Sequence, residues 1–515
     1  MHHSIRSFAT LALSLLAAAG CGASAPDDNA EATATAPSAL SSVAASQSFL
    51  VSFGGGAIPA NVDSLVARAG GTIVARYAAV GAVLARSTSA SFASVLRGST
   101  GVDAVGAVGA VHSAIGPVRA ASAPRRPPSG GPRSGDPLSF RQWNMDQIRA
   151  PEARAVSSGK KSVLVGVLDS GIDVMHPDMA GQVDAGASVS CLGGVPNVAP
   201  EVWSNDIIGH GTHVSGIIAG AKNGIGVVGV APGVRLAAVK VAVDDLNDPN
   251  FGLVFPDAIV CAVDWAIGHG FDLMNASLVI DPFTAPIDDI FCSDQPDRAA
   301  VVKIVRRAVL EAAKKQITLV AAAGNFFTDL KHLTGSTPGA DCKVLPVQLP
   351  KVIGVSAVGV TQKLAFYSNY GLGAIDLTAP GGDSLIPNPR VTDRASSGQV
   401  LSSIPRDSLF YQLAADWDGQ VEDCSSGTCS TYAYLQGTSQ ATPHVTGVAA
   451  LALSRFGKMG PDTLTALLRL TATPLACPRG PYDPGQTGTP ATCTGVLIQN
   501  SFYGGGEVNA LRVVR

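Results

Sequence analysis

Between residues 162 and 378 the chain alternates two apolar patterns that few folds can accommodate. Apolar runs of strand length occupy 162–168, 235–241, 271–278, 317–323, 352–358 and 374–378. Helical patterns lie at 210–221, 256–269 and 297–315, and two more follow at 438–456 and 461–473. Strands that read as continuous apolar runs are buried on both faces. Alternation with helices therefore predicts an α/β fold: a doubly wound, mostly parallel sheet with helices on both faces. Functional groups in such sheets gather beyond the carboxyl ends of the strands. Composition agrees, with 46% hydrophobic and only 15% charged residues, where about 25% charged is usual. A net charge of −3 gives no purchase for nucleic acid or an anionic membrane.

The region before this core divides into four. Residues 1–21 read as an export signal: Arg6 is followed by an apolar run too short to span a bilayer, ending Ala18-Ala19-Gly20-Cys21. Small residues before a cysteine look like a bacterial lipoprotein signal, which would acylate Cys21; ordinary cleavage after small residues is the alternative. Residues 22–47 are Ala/Ser/Thr-rich and aperiodic, a flexible tether. Residues 48–115 follow a βαββαβ order, with strands at 48–53, 72–77, 81–87 and 102–112 and helices at 59–69 and 89–96, giving a small ferredoxin-like α+β domain. Residues 116–135 form a Pro/Arg/Gly-rich linker open to proteolysis, leaving 136–515 as the main domain. No later stretch reaches the length of a transmembrane helix.

Apart from Cys21 there are eight cysteines, an even number that suits disulfides in an exported chain. Cys424–Cys429 and Cys477–Cys493 each close a short loop and are the expected pairs; the connectivity of the other four stays open. No Cys/His spacing resembles a zinc site. The long stretches 281–297 and 382–434 break the alternation and are expected to form rim or specificity features, partly stapled by cysteines.

Four short stretches carry candidate chemistry. Asp169 lies in the run Val-Leu-Val-Gly-Val-Leu-Asp-Ser-Gly-Ile-Asp, where a carboxylate could orient a base; read alone, a turn aspartate is the commoner reading. His210 opens His-Gly-Thr-His-Val-Ser-Gly at a loop-to-helix entry. His213 shares its helix face, but the third ligand and acid of a hydrolytic zinc site are missing, so His213 reads as a packed structural residue. Asn325 follows Leu-Val-Ala-Ala-Ala-Gly, where a side-chain amide can donate to an oxyanion; its plain reading is a turn asparagine. Ser439 lies in Gly-Thr-Ser-Gln-Ala-Thr-Pro-His-Val-Thr-Gly, a turn running into an apolar helix whose first amides favour negative charge. Pro443 is read as an early helix residue, where a missing donor costs least.

In order these stretches resemble the subtilase family of subtilisin-like serine proteases, whose triad runs Asp…His…Ser. The resemblance covers about 136–509. It implies Ser439 as nucleophile, His210 as general base, Asp169 as the group that orients His210, and Asn325 with the Ser439 amide as oxyanion donors. It further implies that Ser277, Leu278 and Val279 flank the substrate strand and that Ala322, Ala323 and Gly324 wall the first specificity pocket. Subtilases usually carry glycine where Val279 stands. Residues 221–227 resemble a subtilase calcium loop, with Ala221, Asn223, Ile225 and Val227 as oxygen ligands completed by Asp136 and Asp178; a glycine-rich turn is the plain alternative. Residues 48–112 look like an inhibitory propeptide. The expectation is a secreted, monomeric endopeptidase acting on proteins or peptides, made as a self-processing zymogen whose lipid anchor, if Cys21 is acylated, would stay with the propeptide.

Overall fold

The large sheet has seven strands in the order Leu377–Pro380, Val352–Val358, Thr318–Ala322, Leu273–Ala276, Leu164–Asp169, Arg235–Lys240 and Val189–Ser190, and every pairing is parallel. The structure is a computed structural model and describes residues 46–109, 111–113, 135–244, 252–279, 291–292, 295–333, 341–385, 398–486 and 488–515. Helices cover both faces. Val214 and Ile218 of His210–Ala219, with Val445 and Ala449 of Thr438–Phe456, pack on Val165, Val167, Val320 and Val355. Ile259 and Val263 of Pro256–Gly268, with Val305 and Val309 of Pro296–Lys314, pack on Leu168, Met274 and Leu319. Successive strand residues point to opposite faces, so Val165 and Val167 meet one helix layer and Leu168 the other. This is the doubly wound α/β architecture expected from the sequence.

The strand expected at 374–378 lies instead at Leu377–Pro380. The Ala374 and Ile375 amides are used in a turn on the Gly371 carbonyl and cannot join the ladder. The two-residue edge strand Val189–Ser190 is too short to show a period. The stretch 382–434 is more regular than expected. It contributes a three-stranded antiparallel sheet of Val400–Ser403, Ser430–Leu435 and Gln420–Asp423 and the helix Leu409–Ala414; its residues 386–397 lie outside the described set. From the stretch 281–297, Phe291–Cys292 pairs with Cys342–Lys343, and 281–290 lie outside the described residues.

The N-terminal unit is a four-stranded antiparallel sheet ordered Gly71–Tyr77, Ala82–Ser87, Gln47–Phe53, Val102–Val108, with helices Val62–Arg68 and Phe92–Arg97. This is the ferredoxin-like order. One face holds its own core of Phe49, Val51, Phe53, Phe92 and Leu96. Leu50, Leu84 and Ala104 point the other way and join the large core over helices Pro256–Gly268 and Pro296–Lys314. Polar contacts edge that face: Tyr77 O–H donates to the Gly194 carbonyl at 2.7 Å, and the Ala79 amide donates to Asp264 Oδ1 at 2.8 Å. Lys303 Nζ pairs with Asp103 at 2.7 Å, and Arg307 reaches the Phe53 carbonyl at 2.6 Å. The strand expected at 102–112 breaks in two. Val102–Val108 stays in the small sheet, while Val111–Ser113 pairs antiparallel with Gly252–Val254 of the main domain. A period of two marks a strand but not the sheet it joins.

Four disulfides form: Cys191–Cys261, Cys292–Cys342, Cys424–Cys429 and Cys477–Cys493. The two short-loop pairs are those expected. Residues 1–45, with Cys21, and most of 116–135 lie outside the described residues. No helix among the described residues is long and apolar enough to cross a membrane.

Candidate active site

Asp169 is the last residue of the interior strand Leu164–Asp169 and is fully buried. His210 begins the helix His210–Ala219. The two elements can approach because Gly211 has no side chain: a Cβ there would collide with the Gly171 carbonyl. His210 Nδ1 lies 2.8 Å from Asp169 Oδ1. A carboxylate only accepts, so Nδ1 carries a proton, and in the neutral ring the lone pair falls to Nε2. That Nε2 is buried and has no hydrogen-bond partner among the described residues.

The Asp169 turn and the start of the His210 helix are fastened by Asp206, which lies outside all four motif stretches. Its carboxylate accepts from Ser170 Oγ at 2.7 Å, the Gly209 amide at 2.9 Å, the Thr212 amide at 2.8 Å and Thr212 Oγ1 at 2.6 Å. Burial pushes this carboxyl up despite those donors. The available signal was an aspartate just ahead of a predicted helix start, where an acceptor is wanted. Lys240 Nζ adds 2.6 Å bonds to the Ser170 and Asn205 carbonyls on the same turn. His213 is a packed histidine as expected: it is fully buried, 3.0 Å from the Ala433 carbonyl, and burial lowers its pKa to about 3.

Ser439 is the second residue of the helix Thr438–Phe456. Its Oγ donates to the Ser277 carbonyl at 2.8 Å, so the hydroxyl is not engaged with His210. The Ser277 hydroxyl in turn donates to the Ser439 carbonyl at 2.8 Å. Pro443 explains that bond and corrects the early-helix reading of this residue. It lies four residues after Ser439, inside the helix. The N–H that would normally bond the Ser439 carbonyl is missing there, which leaves the oxygen for Ser277.

Asn325 stands just past the strand Thr318–Ala322. Its Oδ1 accepts from the Thr438 amide and from Thr438 Oγ1, both at 2.9 Å. Thr438 Oγ1 also accepts from the Gly324 amide at 3.0 Å. An atom bonded by a backbone N–H must be the amide oxygen, so the Asn325 NH₂ faces away from Thr438. The Ser439 amide donates to no described residue. Two donors, the Asn325 NH₂ and the Ser439 N–H, thus have no partner among the described residues and lie beside the Ser439 side chain.

Two segments flank Ser439. Ser277, Leu278 and Val279 run along one side, with the Leu278 side chain packed into the core. Ala322, Ala323 and Gly324 form the other, the two alanines also core residues. Val279 faces Gly324: a Cβ built on that glycine would lie 3.7 Å from Val279 Cγ1. Phe410, from the helix Leu409–Ala414, sets its ring edge-on to His210 with centroids 5.9 Å apart.

The expected calcium residues come together elsewhere. Asp136 Oδ1 accepts from the Asn223 and Gly224 amides at 3.0 Å each. Asp178 Oδ2 accepts from Ser403 Oγ at 2.8 Å, while its Oδ1 is buried with no partner among the described residues. Burial, with Asp136 a smaller cause, pushes the Asp178 carboxyl up to about 7. The carbonyls of Ala221, Ile225 and Val227 accept no hydrogen bond from the described residues. Asn223 Oδ1 accepts the Ile225 amide at 2.9 Å.

Residues 160–506 match the Subtilase family. Fervidolysin of Fervidobacterium pennivorans is 30% identical over 342 residues, 66% of this chain and 41% of fervidolysin, so the match spans about two fifths of that relative. Subtilisin DY of Bacillus licheniformis is 30% identical over 333 residues, 65% of this chain and 92% of that protein. Among solved structures, the epidermin leader peptide processing serine protease of Staphylococcus aureus shares the fold with a TM-score of 0.64 at 18% identity, covering 91% of this chain and 98% of that one. With a seven-stranded parallel sheet and a family match over two thirds of its length, the chain belongs to the subtilases, the subtilisin-like serine proteases.

Proposed function

We propose that this subtilase is a secreted endopeptidase that cleaves protein and peptide chains through an Asp169–His210–Ser439 triad and an acyl-enzyme. The supporting observation is the 2.8 Å Asp169–His210 contact, which leaves His210 Nε2 without a partner among the described residues and open to act as a base. In the proposed reaction the Ser439 hydroxyl leaves the Ser277 carbonyl and donates to Nε2 instead. Oγ then attacks the substrate carbonyl while its proton passes to His210. The oxygen that becomes negative is held by the Asn325 NH₂ and the Ser439 N–H. Collapse expels the amine, which takes the proton from His210. Water repeats the sequence on the ester and restores Ser439.

The zymogen reading rests on the N-terminal unit. Val111–Ser113 adds to Gly252–Val254 as an extended strand, the way a peptide joins an open sheet edge. Residues 48–115 thus act as an inhibitor-like propeptide, cleavage falls within 114–135, and 136–515 is the mature catalytic domain. If Cys21 is lipidated, that cut frees a monomeric catalytic domain from its membrane anchor. Asp136, Asp178, Asn223 and the carbonyls of Ala221, Ile225 and Val227 are an all-oxygen set that suits Ca²⁺, and the unpartnered Asp178 oxygen is the observation in its favour. A bound ion there supplies structural stability and no step of the reaction. A dedicated processing protease is the second reading, favoured by the insertion that brings Phe410 against His210.

Ser439→Ala tests the proposal. The variant should accumulate as the unprocessed chain, and only the wild type should be labelled by a fluorophosphonate. A variant still processed to wild-type size would refute self-cleavage.

A further inference from the structure

We infer that Asp206 is a positioning residue for the general base, and that it acts by keeping the Ser170 hydroxyl from donating to Asp169; this rests on the serine-protease reading above. Ser170 Oγ stands between two carboxylates, 2.7 Å from Asp206 Oδ1 and 3.2 Å from Asp169 Oδ1. A hydroxyl has one proton to give. The Gly211 amide donates to the same oxygen at 3.0 Å and holds it from the side of the His210 helix. Bonds from a hydroxyl to a carboxylate are strongest at about 2.5–2.7 Å, so the proton goes to Asp206.

The surroundings of Asp206 make it an acceptor. The Gly209 and Thr212 amides can only donate, and Thr212 Oγ1 already accepts the Asp173 amide at 2.9 Å, so its own proton is free for the Asp206 carboxylate. Burial works against a charge on Asp206, and these donors favour it. The neighbouring cation is Lys240: burial opposes its charge, while Asp206, Asp244 and Asp169 favour it. His213, the other titratable side chain of the His210 helix, is neutral near pH 7, since burial lowers its pKa to about 3. The consequence falls on Asp169. Its two close donors, His210 Nδ1 and the Ser170 amide, both lie 2.8 Å from Oδ1, and its Oδ2 is buried with no partner among the described residues. The fewer donors a carboxylate has, the more it gains from a neighbouring cation. Here that cation is the imidazolium formed when His210 takes the Ser439 proton. A third close donor would share the Asp169 charge and weaken the base. Ser170, next in sequence to Asp169, would be that donor if Asp206 did not draw its proton away.

The test is the acid limb of the pH profile of kcat/KM, measured on the full chain as it matures, with one peptide substrate. Four proteins are compared: wild type, Ser170→Ala, Asp206→Asn and the double variant. While Asp206 holds the Ser170 proton, Ser170→Ala should move the midpoint of that limb by less than about 0.2 pH unit. In Asp206→Asn a neutral amide competes poorly with the Asp169 carboxylate, so the Ser170 proton turns to Asp169. Adding Ser170→Ala in that background should then raise the midpoint by about 0.5 unit or more. The charge lost in Asp206→Asn is absent from both proteins of that comparison and cancels. A merely structural role would lower the rate at every pH without this dependence on background. The proposal is overturned if Ser170→Ala alone moves the midpoint further than that limit, or if it moves it equally in both backgrounds. Fluorophosphonate labelling of Ser439 confirms that each variant has a formed site. Should Asp206→Asn take no label, Ser170→Ala alone decides: an unmoved midpoint supports the proposal and an upward shift overturns it. A wild type that takes no label overturns the serine-protease reading beneath it.

Discussion

Thr438 has no direct part in the chemistry, yet its hydroxyl and amide hold the Asn325 side chain in its donating orientation. The substitution Thr438→Val keeps the shape and removes the hydroxyl. Asn325 Oδ1 then loses one of two 2.9 Å bonds, and the Gly324 amide loses its 3.0 Å acceptor. A buried neutral hydrogen bond contributes about 1 kcal/mol, and part of that loss reaches the oxyanion only through a looser Asn325. We expect kcat to fall about five- to tenfold with KM nearly unchanged. Asn325→Ala removes the donor itself and should cost about 3 kcal/mol, on the order of 150-fold in kcat. The double variant discriminates between mechanisms. If Thr438 acts only by positioning Asn325, it adds nothing once Asn325 is gone, and the double variant matches Asn325→Ala. The assay is steady-state turnover of one peptide substrate by all four proteins, with Ser439 labelling to confirm folding. Full additivity of the two effects would show that Thr438 acts by another route.

Two further outcomes concern stability and are best measured in the inactive Ser439→Ala background, where self-digestion cannot intervene. Calcium at about a hundredfold excess over its dissociation constant should stabilise the protein by about 2.7 kcal/mol, and Asp178→Asn should abolish the increment; equal melting temperatures with calcium and with EDTA would remove the ion from the account. Glu507 is fully buried, accepts from Gln147 at 2.6 Å and also from Gln362, and burial lifts its pKa from 4.5 to about 7. The folded state therefore holds this proton more tightly than the unfolded one, so its contribution is complete below pH 4.5 and lost as pH rises through 7. The loss amounts to about 3 kcal/mol. Urea unfolding of Glu507→Gln should show a shallower decline between pH 5 and pH 8, and identical slopes would refute the assignment.

The chain alone determined the elements and the positions of the chemical groups. Buried parallel strands and amphipathic helices leave short-range periods, and Asp169, His210, Asn325 and Ser439 each stand where such an element begins or ends. The two short disulfide loops were legible for the same local reason. Tertiary structure decided everything that depends on two distant segments meeting. It paired Cys191 with Cys261 and Cys292 with Cys342, and it drew Val111–Ser113 out of one sheet into another. It also gave Pro443 its consequence, since the missing amide matters only because Ser277 stands ready to take the freed carbonyl. Val279 could be seen in the sequence as an unusual residue, but only the fold sets it opposite Gly324. Period and propensity report on neighbours within a few residues, whereas the spacing between packed segments is fixed only when the layers close on one another.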